Sequence, residues 1–266
     1  MKIILITGSH PQHAYIARAI AATSYLSGLV IEEREEHLPI APDHLNTQMK
    51  KMFNRHFLNR QVAGDKHFGA CIFPDVPILK VSRNRLNDEG TWSFLKKHEP
   101  TLLLSYGCHM LSDKTLGKVS GEIWNIHGGL SPWYRGAITH FWPSYMLEPQ
   151  MTGMTIHQLT QQLDAGDVVH QCCADLVRGD GIHDLAARAV LKLAIELPEV
   201  VRILIETGSI NKKAHKTAGK LWLSQDWRPE HLYLIYELYK DRIVDSYLNE
   251  ELKQKEPNIY QQNINY

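Results

Sequence analysis

An α/β fold on an open, mostly parallel sheet is predicted by three features of the sequence. Residues 3–7, Ile-Ile-Leu-Ile-Thr, form an apolar run of strand length, and a helical pattern follows from about residue 11 to 25. Residues 102–105, Leu-Leu-Leu-Ser, give a second buried strand. Residues 123–127 give a third, which ends in Asn125 and His127 and runs straight into Gly128-Gly129.

The elements follow in order. The first helix presents Ala14, Ala17, Ile20 and Ala21 on one face. Gly8 and Ser9 sit where strand meets helix N-terminus, a place suited to an anion, but no further glycine completes a dinucleotide fingerprint. Residues 29–33 read as the second strand. From Asp43 to about Lys66, Leu45, Met49, Met52, Phe53, Phe57 and Leu58 recur at helical spacing. Residues 77–82 read as a strand, and Asn87 or Asp88 caps a helix through Lys97. Residues 112–118 and 138–147 read as helices, the latter with Phe141, Trp142 and Tyr145 inward. Residues 154–159 and 168–176 are strand-like, and residues 182–206 form a long amphipathic helix containing Pro198 and closed by Gly208.

A chain of 266 residues suits one α/β domain of about 200 residues plus an appendage, so the predicted division is 1–208 and 209–266. In the appendage, Leu221-Trp222-Leu223 and a turn at 226–229 suggest a hairpin, and residues 230 to about 253 a helix. Its apolar residues are too many for a free tail, which points to a role in self-association, whereas the final polar residues are expected to fray. Lys plus Arg equals Asp plus Glu at 29 each, so no global field favours nucleic acid or an acidic membrane. The cysteines Cys71, Cys108, Cys172 and Cys173 form no disulfide framework, and the fifteen histidines no metal-ligand spacing. The opening residues read as a strand rather than a signal peptide, and no stretch approaches the roughly 18 apolar residues of a membrane span. A cytoplasmic protein needing no metal is expected.

The sequence is organised around residues 124–136, Trp-Asn-Ile-His-Gly-Gly-Leu-Ser-Pro-Trp-Tyr-Arg-Gly. Alternation along a strand puts Asn125 and His127 on the same face, at the carboxyl edge where open α/β sheets bind ligands. An amide and an imidazole there can polarise a carbonyl and hold the oxyanion that forms under nucleophilic attack. Thirty-seven residues beyond His127 lies Asp164-Ala165-Gly166, a carboxylate in a glycine-containing loop.

These three pieces (Asn125-Ile126-His127, the Leu130 to Gly136 loop, and Asp164-Ala165-Gly166) together resemble the folate-dependent formyltransferases, most of all the sugar-nucleotide N-formyltransferases. The resemblance is specific over about residues 100–175, vaguer towards residue 1 and absent past about 210. It implies a Rossmann-like formyltransferase domain carrying a short C-terminal hairpin and helix. It also implies transfer of formyl from N10-formyltetrahydrofolate, the donor co-substrate, to an amine. Asn125, His127 and Asp164 would be the catalytic three. The loop at His109, Met110 and Leu111, with Gly166, would meet the cofactor, main-chain groups suiting the donors and acceptors of a pterin.

The acceptor stays open. A nucleotide-linked dideoxy-amino-sugar such as dTDP-4-amino-4,6-dideoxyglucose or GDP-perosamine, destined for O-antigen or other polysaccharide, fits the neutral charge and the aromatics Trp133, Tyr134, Phe141 and Trp142. Hydroxyornithine is a second acceptor. Methionyl-tRNA is disfavoured, since the tail has nine Lys and Arg against eight Asp and Glu. A catalytically silent folate-binding protein is a fourth reading, opposed by the intact catalytic set. Candidate substrate contacts are Ser9, His10, Tyr134, Arg135 and Thr139, and a homodimer is expected.

Overall fold

The computed structural model describes residues 1–34, 38–160, 166–215 and 219–264. Seven strands form one sheet in the order β3-β2-β1-β4-β5-β7-β8. Strands β1 (Ile3–Gly8), β2 (Leu26–Glu32), β3 (Ile78–Val81), β4 (Leu102–Tyr106) and β5 (Glu122–His127) are parallel. The antiparallel strands β7 (Gly153–Gln158) and β8 (Val168–Cys173) complete it. The chain winds outward from β1 through β2 to β3, then returns to lay β4 and β5 on the other side, so the direction reverses between β1 and β4. Such a reversal opens a crevice at the carboxyl ends of the strands.

Helices α1 (Pro11–Ala21), α2 (Thr47–Phe68) and α6 (Ile182–Thr207) pack on one another beside the sheet, and α3 (Glu89–His98) lies against β2. Local chemistry explains their ends. The Asp88 side chain accepts the Gly90 N–H at 2.9 Å, as the predicted cap requires, and Asn46 accepts the Met49 N–H at 2.9 Å. Gly208 closes α6 in the left-handed region at φ 71°. Ile3, Leu5, Ile16, Ile20, Leu104 and Trp124 all contribute to the main core, each at 0 % exposure.

Short elements depart from expectation. The helix predicted over 138–147 shrinks to α5 (Trp142–Tyr145), because Ile138 adopts the left-handed region at φ 58°, a strained conformation for a β-branched residue. Residues 112–118 shrink to α4 (Asp113–Leu116). Among the described residues the expected hairpin does not form. Strand β9 (Lys220–Trp222) pairs parallel with β6 (Tyr134–Gly136) instead, and Trp222 stacks on Trp142 with centroids 4.1 Å apart. The long C-terminal helix is broken. Leu234–Leu238 forms a π-helical turn, and α7 (Ile243–Leu248) follows after Lys240 and Asp241, both at positive φ.

Asp241 has a reason to break the helix: its carboxylate accepts the Ile182 N–H at 3.0 Å, at the N-terminus of α6. Nor do Tyr260 and Gln262, near the end of the described chain, hang free. The Gln171 N–H donates to the Tyr260 carbonyl at 2.7 Å and the Gln262 N–H to His170 Nδ1 at 3.1 Å, so the tail straps the exposed edge of β8.

Trp222, Leu232, Ile235, Tyr236 and Ile243 are buried in one cluster with Leu130, Tyr134, Phe141 and Trp142. We therefore propose that residues 209–266 complete the core of residues 1–208 rather than standing apart. A chain ending at Gly208 is expected to lose cooperative unfolding, checked by circular dichroism during thermal denaturation. A truncated chain that melts as sharply as the full one would refute this.

Candidate active site

Strand register assembles the site. Asn125 on β5 lies opposite Ser105 on β4 and opposite His157 on β7, so three polar side chains form a row across three strands. Ser105 Oγ donates to Asn125 Oδ1 at 2.8 Å, and Asn125 Nδ2 donates to His157 Nε2 at 3.2 Å. His157 Nδ1–H in turn donates to the Gln158 carbonyl at 2.8 Å, which leaves Nε2 as the acceptor that Asn125 needs. The amide is thus held in one orientation from both sides. Ser105 and His157 were not singled out from the sequence. Both are polar residues within apolar strands, but only the register reveals that they flank Asn125.

His127 is 7 % exposed, and its Nε2–H donates to the Tyr134 carbonyl at 2.9 Å. That bond commits Nε2 as a donor and fixes the orientation of the ring. Gly129 is required beside it. A Cβ there would lie 2.7 Å from His127 Nε2 and 2.5 Å from the Tyr134 carbonyl oxygen. The loop is anchored from β7 and β8. Thr155 Oγ1 donates to the Gly129 carbonyl at 2.7 Å, the Ser131 N–H donates to Thr155 Oγ1 at 3.0 Å, and Gln171 Nε2 donates to the Ser131 carbonyl at 2.6 Å.

Two cavities open at this edge. The first, of about 300 Å³, lies between the loop after β4 and the row of Asn125, His127 and His157. His109, Met110 and Leu111 all line it, beside Asn125 and His127, together with Gly107 and Cys108 of the same loop. The second, of about 520 Å³, lies among α2, α6 and the segment after β9. It is walled by Phe57, Phe141 and Trp227, with His56 and His183 between them and Arg60 exposed beside Phe57. Tyr106, Gly107, Gly128 and Thr139 border both cavities, so the two meet at the end of β5. Burial pushes His56 down to about 2, helped by His183 and Arg60, and His183 to about 4, helped by Arg60, so both rings are neutral at physiological pH.

The remaining predicted residues are placed unevenly. Thr139 borders both cavities and donates its hydroxyl to the Gly128 carbonyl. Tyr134 and Arg135 are buried on β6 and line neither cavity, and the Tyr134 hydroxyl is spent on Glu148 Oε2 at 2.6 Å. Gly166 lines neither; a Cβ there would collide with the Gln158 carbonyl, so it serves close packing against β7. Asp164 lies outside the described residues.

Ser9 and His10 also line neither cavity. Ser9 Oγ accepts the Arg34 N–H at 2.9 Å, and the His10 N–H donates to His13 Nδ1 at 3.1 Å. Pro11 has no N–H, and those of His13 and Ala14 turn back to the His10 carbonyl. The α1 terminus therefore offers an anion only the Gln12 N–H, far short of the cluster of donors that such sites use. Among the described residues no group of three His, Cys, Asp or Glu could hold a metal ion, and no helix is long and apolar enough to cross a membrane.

The open α/β sheet brings an amide and an imidazole to a crevice at the carboxyl edge of its strands, where such enzymes bind their ligands. The formyl transferase family matches residues 46–201, more than half of the chain, and the protein belongs to that family. Solved structures share the fold at low identity. A phosphoribosylglycinamide formyltransferase from Anaplasma phagocytophilum is 18 % identical, with 84 % of this chain and 98 % of that one covered at a TM-score of 0.57. A sugar N-formyltransferase from a Shewanella species is 16 % identical, with 85 % and 78 % covered at 0.53. A sugar 3N-formyltransferase crystallised with dTDP and 5-N-formyl-THF is 15 % identical, with 86 % and 72 % covered at 0.52.

Proposed function

We propose that the protein transfers formyl from N10-formyltetrahydrofolate to the amine of a nucleotide-linked dideoxy-amino-sugar. The observation that carries this reading is the pair of cavities that meet at Gly128 and Thr139, beside Asn125 and His127. The first, walled by the loop after β4, suits the flat heterocycle of the donor. The second has aromatic walls for a base or sugar and a cation, Arg60, for a phosphate. With the α1 terminus offering an anion little beyond the Gln12 N–H, Arg60 is the better counterion for a diphosphate than the loop after β1.

The neutral amine attacks the formyl carbon, and the carbonyl π pair moves to oxygen. Asn125 donates an N–H to that oxyanion. His127 takes up the amine proton, while the Tyr134 carbonyl, holding Nε2–H, steadies the cationic ring. Collapse of the adduct re-forms the carbonyl and breaks the bond to the folate nitrogen, which receives the proton from the cationic His127 and leaves as tetrahydrofolate. Asp164 is proposed to stabilise the cationic imidazole. A homodimer remains part of the reading.

The test offers the protein formyltetrahydrofolate with dTDP- and GDP-linked amino sugars, hydroxyornithine and methionyl-tRNA, and measures formylated product. Turnover of an amino-sugar nucleotide is expected, and Trp227→Ala is expected to raise the KM for that acceptor about tenfold while sparing that for the folate. Turnover of hydroxyornithine or methionyl-tRNA alone would sink the sugar reading and leave formyl transfer standing.

A further inference from the structure

Glu32 is the last residue of β2 and is fully buried at the wall behind the loop that lines the first cavity. Its two oxygens serve one residue of that loop. Oε2 accepts the His109 N–H at 2.8 Å, and Oε1 accepts from His109 Nδ1. Arg34, two residues on, lies 3.3 Å from Glu32 Oε2 and donates to the Gly107 carbonyl at 2.9 Å. The far end of the loop is held from α3's entrance. Asn87 Nδ2 donates to the Met110 carbonyl at 3.0 Å, while Asn87 Oδ1 accepts the Ser112 N–H at 2.7 Å.

A backbone surface that reads a flat ligand by its N–H and C=O groups must hold those groups fixed before the ligand arrives. Loop residues cannot do this for themselves, and here the fixing atoms come from outside the loop. A buried carboxylate is costly to keep unless its hydrogen bonds are made, and Glu32 makes them to the loop. The loop order is therefore tied to the energy of a buried charge.

We propose that Glu32 and Asn87 are positioning residues for the donor, clamping residues 107–111 so that the main-chain groups the clamp does not use recognise its heterocycle; this rests on the reading of the first cavity as the folate site. Glu32→Gln keeps the shape but turns one acceptor into an NH2 group facing either the His109 N–H or its ring. Neither residue is placed to touch the reacting atoms, so their effect falls on donor binding and not on the chemical step.

The experiment compares wild type, Glu32→Gln, Asn87→Ala and the double variant, all checked for an unchanged thermal melt. It measures the Kd for tetrahydrofolate by calorimetry, KM and kcat, and amide exchange across 107–111. Glu32→Gln is expected to speed exchange at His109 and to weaken folate binding on the order of tenfold, with kcat and acceptor KM within about twofold. Because both clamps hold one loop, the double variant is expected to lose less than the product of the single losses. Glu32→Asp, which keeps the charge, is expected to recover part of the affinity. Unchanged exchange, or faster exchange with unchanged folate affinity, overturns the positioning role alone. A wild-type protein that binds no folate overturns the donor reading and this role with it.

Discussion

Replacing Asn125, His127 or Asp164 by Ala is expected to leave a folded protein and lower turnover at least about a hundredfold, near 3 kcal/mol of barrier. The reason differs by residue. Asn125→Ala removes the N–H proposed for the oxyanion and strips Ser105 and His157 of the partner between them. His127→Ala removes the proton acceptor and leaves the Tyr134 carbonyl without its donor, so a stability loss of about 1–3 kcal/mol should accompany the loss of activity. Asn125→Asp separates geometry from chemistry: it retains an acceptor for Ser105 but presents a carboxylate to the developing oxyanion, and should be as inactive as Asn125→Ala. The measurement is kcat and kcat/KM with formyltetrahydrofolate and the accepted amine, beside urea denaturation of each variant. Near-wild-type turnover in any folded variant would show that its assigned role is wrong.

What the sequence revealed was local. The run Ile3 to Ile6, the Asp88 cap and the Gly208 terminus are each written in a few adjacent residues, and each appears in the fold. The Asn125 and His127 pair was legible for the same reason, being two residues apart on one strand. Ser105 and His157 were not, since they meet Asn125 across 20 and 32 residues of chain. The second cavity was hidden more deeply. Phe57 and Trp227 approach within 6.1 Å from helix α2 and from beyond β9, and nothing local marks either as a wall. The broken C-terminal helix was masked because its periodicity is real. What overrides it is a tertiary demand, the delivery of Asp241 to the start of α6. The partner of β9 was likewise invisible, because β6 lies 86 residues earlier at the Tyr134 and Lys220 pairing.

Stability is expected to fall steeply as pH drops from 7.5 to 5, by about 4 kcal/mol from two histidines alone. His13 packs over Gly8 and Gly107, and His56 lies between Trp227 and Phe141; each is 5 % exposed. Burial holds His13 down to about 3, aided by His10 and Arg34, and His56 down to about 2, aided by His183 and Arg60. In the unfolded chain both titrate near 6.5. The unfolded state therefore binds more protons below about pH 6.5, and stability rises with pH through that window. The contribution is complete above the unfolded pKa and is lost as pH falls, at about 2 kcal/mol per histidine by pH 5. His140 and His183, each lowered to about 4 mainly by burial, act in the same direction. Asp241, raised by its burial, acts in the opposite one. Urea midpoints at pH 7.5 and 5 for wild type, His13→Gln and His56→Gln test the account. Each variant should show a shallower dependence than wild type, by about 2 kcal/mol. A wild-type loss below about 1 kcal/mol, or variants with an undiminished slope, would show that these rings accept protons in the folded state and that the interior around them is open to water.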